Sequence, residues 1–450
     1  MRMPPEDLAT PSGIAALAAG TRSGGDQPTL LLGGVALATG QVVDVRVQGG
    51  SIAEVGAVGS LLPADEHLDL TGYLLLPAPA EPHAHLDKAF TAARLPNPTG
   101  DLLGAIEAWV PYRSTMAHED VVRRATEAAL MYLANGATAV RTHIDVGDSI
   151  GLRALRALVE VREALRDQVT LQLVALIGVP LTGPEGAENR SMVRAAMESG
   201  ADVVGGCPHL DPNPAAYQEI CLSLAAELER PIDLHTDETL DSAVLYLPRF
   251  ADLVAETGFR HGATASHCVS LGVQSPEVAA EVARRVAAAG IAVVCPPQTN
   301  LYLQARDHPS APPRGLTALR ALLSAGATVA GGGDNVQDPF NCVGSGDPLD
   351  TASLLVMAGH LSPEEAYAAV SSGARAAMGL PSVRLEPGFP AELLAVRASC
   401  LREAVAVANH ERVVIHNGSV VSRTSMTREF PLSRSSMASA KRLLGADPPA

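Results

Sequence analysis

The stretch EPHAHLD, residues 81–87, decides how the rest of the chain is interpreted. It ends an apolar run that begins near residue 74, and it places His83 and His85 two positions apart. Alternate residues of a β-strand point to the same face, so both imidazoles can bind one metal ion. Such pairs are also common on protein surfaces. The metal interpretation therefore depends on whether further ligands follow along the chain.

Seven more short apolar runs follow this one, separated by stretches with apolar residues at helical spacing. One such helical stretch is GLRALRALVEVREALRD, residues 151–167. The eight apolar runs lie at 74–85, 137–146, 169–178, 201–206, 231–237, 262–267, 291–297 and 327–334. Strands that alternate with helices in this way predict an α/β fold, the (β/α)8 TIM barrel.

Four reactive residues fall at the ends of these runs. His235 closes the fifth run and Glu238 follows it, while His267 ends the sixth and Asp334 ends the eighth. Active sites of such barrels are built at the carboxyl ends of the strands. Each residue alone has an ordinary structural explanation, but the set in this order predicts one functional site. The roles of two further histidines near strand ends stay open: His143 either supports a ligand or bonds within the core, and His209 is less certain.

The segments that flank the barrel region on both sides have a different sequence pattern. Short β-rich runs with glycine turns occupy residues 28–73 and return at 381–423. We therefore predict a small β-sandwich domain assembled from both chain ends, with the barrel at 74–380 between them. Residues 1–27 are predicted to be a loose N-terminal leader, and residues 424–450 a C-terminal tail.

Composition narrows the class of protein. The 450 residues include 33 lysines and arginines against 49 aspartates and glutamates, a formal net charge of −16. Phosphate surfaces would repel such a chain, so neither nucleic acid nor a membrane is an expected partner. The six cysteines form no CxxC pair, and the N-terminus lacks the basic and apolar segments of a signal peptide. We expect reduced thiols and a cytoplasmic protein that acts on a small molecule.

Six motifs in this order resemble those of the bacterial cytosine deaminases, which belong to the metal-dependent amidohydrolase superfamily. The motifs are EPHAHLDKAF at 81–90, RTHIDVGD at 141–148, DLHTDE at 233–238, ATASHCVSL at 263–271, NLYLQAR at 300–306 and GGGDNVQDPF at 331–340. The resemblance extends from about Leu74 to Leu380 and is less distinct over the β-rich ends. It identifies the superfamily without making cytosine the substrate.

The resemblance implies a role for each matching residue. One divalent metal ion, zinc or iron, would be bound by His83, His85, His235 and Asp334. Glu238 matches the carboxylate that shuttles protons, and His267 matches the histidine that hydrogen-bonds a metal-bound hydroxide. Asp334 would also take the proton of the water. Superfamily members with two metals carry a carboxylated lysine on the fourth strand, where ADVVGGCPH at 201–209 has none, so one metal is expected.

The substrate side departs from the cytosine enzymes. Gly178 aligns with their ring-holding glutamine, and Asn335 replaces an acidic residue beside the metal aspartate. Lys88 matches relatives that act on triazines and other N-heterocycles. Lys88 is therefore expected either to bind an anionic or carbonyl-rich substrate or to be a surface lysine. The missing glutamine predicts that cytosine is a poor substrate and that a bulkier ring fits better.

These expectations define the predicted function. The chain is expected to hydrolyse a C–N bond of a small N-heterocycle with an exocyclic amine, releasing ammonia. Release of an alkylamine and opening of the ring are alternatives, and a metal-binding relative without catalysis is an alternative of another class. A homo-oligomer is possible, although no sequence feature marks an interface.

Overall fold

The computed structural model describes residues 28–147 and 149–429. The predicted leader at 1–27 lies outside the described residues, as does all of the predicted tail beyond residue 429. Eight parallel strands form the central barrel in chain order. They are β6 Ala80–Ala84, β7 Ala139–Val146, β8 Thr170–Ile177, β9 Val203–Gly206, β10 Ile232–Thr236, β11 Ala263–His267, β12 Ala292–Cys295 and β13 Val329–Gly331.

Most barrel strands are buried along their whole length, because helices cover the outside and side chains fill the inside. Strands β6 and β13 meet at the seam of the barrel. A single bridge joins them there, between Ala84 and Asp334, and the Asp334 N–H donates to the His83 carbonyl over 2.9 Å. The barrel is therefore nearly closed, and the predicted fold class is confirmed.

Helices follow the strands and pack around the barrel. They are α1 Leu102–Arg113, α2 His118–Ala134, α3 Arg153–Ala164, α4 Ala187–Glu198, α5 Pro214–Glu227, α6 Leu247–Thr257, α7 Pro276–Ala288, α8 Pro297–Leu303, α9 Leu319–Ser324, α10 Pro348–Met357, α11 Pro363–Ala368, α12 Ala374–Ala377 and α13 Leu401–Val407. None of the helices in the described ranges combines the length and apolar character needed to cross a bilayer.

A second sheet of eight strands is built from both β-rich regions. Its strands are β1 Leu30–Ala36, β2 Val42–Gln48, β3 Ser51–Gly56, β4 Glu66–Asp69, β5 Tyr73–Pro77, β14 Leu393–Arg397, β15 Arg412–His416 and β16 Ser419–Arg423. The strand order is β16-β15-β14-β5-β1-β2-β3, and β4 pairs with β1. We call this the composite sheet. Its separate apolar core, which includes Leu32, Val45 and Ile415, confirms a β-domain made from both ends.

The apolar run at 74–85 differs from its prediction as one barrel strand. It divides into β5, which pairs with β14 in the composite sheet, and β6, which begins the barrel. Pro77 and Pro79 flank the break, and proline cannot donate a ladder hydrogen bond. The Ala78 N–H still bonds to the Glu392 carbonyl, whereas the Pro79 carbonyl accepts from Thr138 beside β7. The domain boundaries at residues 73 and 380 stay a prediction.

Candidate active site

Four predicted metal ligands meet at the carboxyl end of the barrel. His83 lies in β6 with His85 directly after it, His235 lies in β10, and Asp334 follows β13. The Nε2 atoms of His85 and His235 are 3.3 Å apart. The Asp334 Oδ1 atom lies 3.3 Å from His85 Nε2 and 3.7 Å from His83 Nε2. The structure thus brings together all four residues.

These distances fit one metal ion. Ligands bound tetrahedrally at about 2.0–2.1 Å stand about 3.3–3.4 Å from one another, close to the separations observed here. Both ring nitrogens of His83, Nδ1 of His235 and both carboxylate oxygens of Asp334 have no hydrogen-bond partner among the described residues. Buried polar atoms without hydrogen bonds cost folding free energy, and a cation bound by these atoms would offset that cost. The cluster therefore has the properties of a cation site.

Burial sets the charge of these ligands. It lowers the pKa of His83, His85 and His235 well below the usual range, so the imidazoles are neutral and free to ligate. Burial, followed by the repulsion of Glu238, raises the pKa of Asp334 well above its usual value. A bound cation would offset this repulsion and hold Asp334 as a carboxylate.

A second possible donor set shares His83 with His143 and Asp233. Asp233 already bonds to the Arg141 guanidinium over 2.9 Å and accepts from the Ser266 hydroxyl over 2.8 Å. The fixed positive charge of Arg141 makes this set unfavourable for a divalent cation. In the part of the chain that the structure describes, no arginine or lysine lies within bonding distance of the Asp334 carboxylate.

The structure gives the two uncertain histidines different surroundings. The His143 ring lies 4.1 Å from the His83 ring, centroid to centroid, and neither of its nitrogens finds a hydrogen-bond partner in the described chain. His143 Nε2 lies 3.7 Å from Asp233 Oδ2, beyond hydrogen-bond distance, so the choice between ligand support and a core hydrogen bond stays a prediction. His209 Nδ1 lies 3.2 Å from the carbonyl oxygen of His235, so it supports the backbone of a ligand.

Glu238 and His267 stand beside the ligand cluster. Burial raises the pKa of Glu238 to about 8, so it can carry a proton at neutral pH. Burial lowers the pKa of His267 to about 3, which leaves it neutral. His267 Nδ1 lies 3.0 Å from Asn300 Oδ1 and 3.5 Å from Glu238 Oε1. With Nδ1–H donated to these oxygens, Nε2 is an acceptor, 3.8 Å from Asp334 Oδ2.

A cavity of about 290 Å³ opens above this cluster. His85, His235, Glu238, His267 and Asp334 form its polar end. The apolar wall consists of Leu102, Ile106, Trp109 and Val110 from α1, together with Leu176, Ile177, Val179, Leu210 and Phe340. A polar floor with apolar sides suits a flat heterocycle that presents one reactive edge.

The four residues predicted to touch the substrate, Gly178, Asn335, Lys88 and His267, all line this cavity. Gly178 lies between Ile177 and Val179 in the apolar wall and adds no side chain to it. The Asn335 amide donates to Asp338 Oδ2 over 2.8 Å, so one of its hydrogen-bonding directions is already used. Lys88 is 3% exposed, which makes the surface-lysine alternative wrong.

Lys88 belongs to a buried network centred on Asp145. Lys88 Nζ donates to Asp145 Oδ1 over 2.7 Å, and the Trp109 indole donates to Asp145 Oδ2 over 2.7 Å. Arg113 NH1 also reaches Asp145 Oδ2, over 3.2 Å. Burial lowers the pKa of Lys88, but Asp145 and Asp87 outweigh it, so the pKa is raised and the ammonium persists. The network joins α1 to the strand ends at the polar floor.

Sequence analysis missed Asp145 and Trp109 as parts of this site. Asp145 stands within the RTHIDVGD motif, near the end of β7. The strand-end criterion that identified the metal ligands could therefore have identified Asp145 as a site residue. Trp109 lies on a helix, far from a strand end, and only its being the single tryptophan marked it. Cys207, at the end of β9, also lines the cavity and was not identified.

Several known proteins resemble this chain in sequence over most of its length. The profile described as "Amidohydrolase family" matches residues 180–422. A pterin deaminase from Rhizobium rhizogenes is 33% identical over 389 residues, covering 85% of this chain and 88% of that protein. An N-isopropylammelide isopropyl amidohydrolase from a Pseudomonas species is 27% identical and covers 84% of this chain and 93% of that protein.

Solved structures show the same likeness. The 5-methylcytosine deaminase from Klebsiella pneumoniae superposes with a TM-score of 0.80 at 28% identity, covering 90% of this chain and 100% of that one. The N-isopropylammelide isopropylaminohydrolase from Burkholderia multivorans gives a TM-score of 0.77 at 29% identity, covering 88% of this chain and 99% of that one. Barrel and composite sheet together are thus shared with enzymes of similar length.

Proposed function

The chain belongs to the amidohydrolase family, and we propose that it is a metal-dependent hydrolase that removes an exocyclic amine from a small N-heterocycle. One observation carries this proposal: a protonatable buried carboxyl, Glu238, shares a cavity with a fitted set of metal donors. A relative that only binds metal would not need Glu238 at this place. The enzyme is related to cytosine deaminase, and we propose that it has a different substrate.

The proposed cofactor is one divalent metal ion per chain, zinc or iron, held by His83, His85, His235 and Asp334. Neutral imidazoles and a carboxylate are ligands of both metals. When bound, the ion supplies a nucleophile at neutral pH, because it lowers the pKa of a coordinated water towards about 7. Strand β9 reads VVGG and offers no lysine to bridge a second ion.

The chain's own groups account for the proton transfers. Asp334 Oδ2 and His267 Nε2 are 3.8 Å apart, which allows one attacking water to donate to both. Asp334 takes one water proton while protonated Glu238 donates to the ring nitrogen beside the attacked carbon. The second water proton restores Glu238, and the proton on Asp334 leaves with the amine as the C–N bond breaks. The products are a ring carbonyl and ammonia.

The substrate is proposed to be larger than cytosine. Gly178 adds no side chain to the cavity wall, whereas a ring-holding glutamine at this position would fill part of the cavity. The apolar wall from α1 can cover the face of a second fused ring. Pterin, a fused two-ring heterocycle that the Rhizobium relative's name specifies, is therefore the first compound to test. We propose that Lys88, which lines the cavity, binds a carbonyl or anionic edge of such a ring.

Release of an alkylamine is the second candidate reaction. The space beside Gly178 would also admit an N-alkyl group, and two relatives are named for removing isopropylamine from N-isopropylammelide. Ring opening remains a weaker alternative. The cytoplasmic location and a possible homo-oligomer are also proposals, based on the sequence alone.

The test uses purified chain loaded separately with zinc and iron. Pterin, cytosine, 5-methylcytosine and N-isopropylammelide are incubated with it, and ammonia and isopropylamine are measured. We expect amine release from at least one larger ring, at a rate above that of chelator-treated protein. If neither amine is released from any compound, the proposed function is wrong. Isopropylamine without ammonia would favour the second candidate.

A further inference from the structure

The barrel seam lies directly beneath two of the proposed metal ligands. His83 stands on β6, the first barrel strand, and Asp334 stands just after β13, the last. Regular ladders of hydrogen bonds join all the remaining pairs of neighbouring barrel strands. In the described chain only the Ala84–Asp334 bridge crosses this seam. The spacing of these two ligands is therefore less constrained by the backbone than that of ligands on paired strands.

One buried carboxyl group spans the seam. Glu81 Oε1 accepts from the N–H of His83 over 3.0 Å, and Glu81 Oε2 accepts from the N–H of Gly333 over 2.8 Å. The second contact is made one residue before Asp334. A side chain of β6 thus replaces the missing ladder and joins the backbone at one ligand to the backbone beside the other.

The surroundings of Glu81 are fitted to this contact. Glu81 is 2% exposed, and the described contacts of its carboxyl group include no cationic side chain. A Cβ atom at Gly332 would stand 2.7 Å from Oε1, so the glycine is required for the close approach. The two N–H groups bond to separate oxygens of Glu81, so one side chain serves both strands.

We propose that Glu81 is a positioning residue that holds His83 and Asp334 at the separation a metal ion requires, and so slows loss of the metal. The inference rests on the proposed function, because it takes those two residues as ligands. Groups that orient metal ligands without touching the metal commonly alter its affinity on the order of 10–100-fold when they are changed. Glu81 would act in this way through the backbone.

The test is Glu81→Gln, which keeps size and shape but turns one acceptor oxygen into an NH2 donor that faces an N–H group. The matched control is Asp44→Asn. Asp44 is also buried and joins two backbone N–H groups, those of Gly34 and Gly59, in the composite sheet. Zinc-loaded wild type and both variants are mixed with a chelator, and the rate of zinc loss is followed with no substrate present.

We expect zinc loss from Glu81→Gln to be on the order of 10–100-fold faster than from wild type, with the Asp44→Asn rate unchanged. Cobalt-substituted Glu81→Gln should also show a shifted visible absorption spectrum, which a loss of stability alone would not cause. Equal zinc-loss rates in wild type and Glu81→Gln, with unchanged spectra, would overturn the inference.

If Glu81→Gln does not fold, Glu81→Asp retains the carboxylate with a shorter reach and should show the same two changes. Wild type that binds neither zinc nor iron would overturn the ligand set and this inference together. Wild type that binds zinc but releases no amine would defeat the proposed function alone, since the zinc-loss comparison needs no substrate. The two failures are thus distinguishable.

Discussion

His85 and His235 are 150 positions apart in the chain, yet their Nε2 atoms lie 3.3 Å from one another. The barrel produces this meeting, because the carboxyl ends of all its parallel strands open on the same side. As metal ligands both Nε2 atoms would be unprotonated acceptors, and two acceptors at this distance repel one another. A divalent cation bound between the two rings would remove this repulsion.

Purified chain should contain about one divalent metal ion, and His83→Ala, His85→Ala and His235→Ala should each lower occupancy. Each substitution removes one donor from a four-donor set. Elemental analysis of dialysed protein gives the measurement. His118→Ala is the control, because His118 lies at the start of α2 and pairs with Glu160. Two tightly held ions per chain would contradict the single-metal site.

Glu238→Gln should lower kcat on the order of 10²–10⁴-fold without loss of metal, because glutamine cannot carry the proton. Steady-state kinetics and elemental analysis of the same sample separate these effects. Glu160→Gln, at an exposed position on α3, should leave kcat unchanged. An unchanged kcat in Glu238→Gln would show that another group shuttles the proton.

The activity should fall as pH rises, since Glu238 acts in its protonated form. Burial raises the pKa of Glu238 from an ordinary 4.5 to about 8, and a bound cation would bring it back down. The midpoint of the alkaline fall in kcat/KM is therefore expected no higher than about pH 8. A pH profile of kcat/KM that stays level to about pH 9.5 would show that no such acid is needed.

Asp145→Asn should lower both kcat/KM and stability. It removes the nearer of the two carboxylate partners of the buried Lys88 ammonium and leaves only Asp87, at 3.4 Å. Losing one partner of a buried pair costs about 3–5 kcal/mol of unfolding free energy. Denaturant unfolding measures the stability. Glu227→Gln, which breaks the exposed pair with Arg194, should change the stability little, because solvent screens that pair. Equal costs in the two variants would mean that the Asp145 network is not structurally important.

Cytosine should be a poor substrate compared with a fused-ring amine, and Gly178→Gln should narrow the difference. The glutamine amide would regain one hydrogen bond to the polar edge of the bound cytosine ring. Such a bond is worth about 1–3 kcal/mol, or roughly one to two decades in kcat/KM. The measurement is kcat/KM for cytosine and pterin on wild type and variant. Wild-type cytosine turnover at about 10⁴ M⁻¹s⁻¹ or more would show that Gly178 is wrongly aligned.

The clustering of the reactive residues could be predicted because one geometric rule converts sequence order into spatial proximity. Their roles as metal ligands came from the family resemblance. His83, His235 and Asp334 all stand at strand ends, and parallel strands bring such ends together. The fold class followed from the same alternation of strands and helices. These predictions needed no knowledge of which side chains touch.

Other features depend on contacts that no local pattern encodes. The burial of Lys88 depends on Asp145, 57 positions away, and on the placement of α1 across the cavity. The pairing of Asp233 with Arg141 follows from two strands whose register only the folded barrel sets. The division of the run at 74–85 needed β14, which pairs with β5 from the other end of the chain.

The composite sheet can be completed only late in the synthesis of the chain, because its strands come from both ends. Thr71 and Arg397, which contact one another beside β5 and β14, are 326 positions apart. Strands β1 to β5 leave the ribosome long before β14 to β16 are synthesised. The edge of β5 that later pairs with β14 therefore stays unpaired during that time. Unpaired edges of this kind recruit other chains. Newly made chains are therefore most exposed to aggregation until the last strands arrive, and chaperone binding should centre on β5 during that interval.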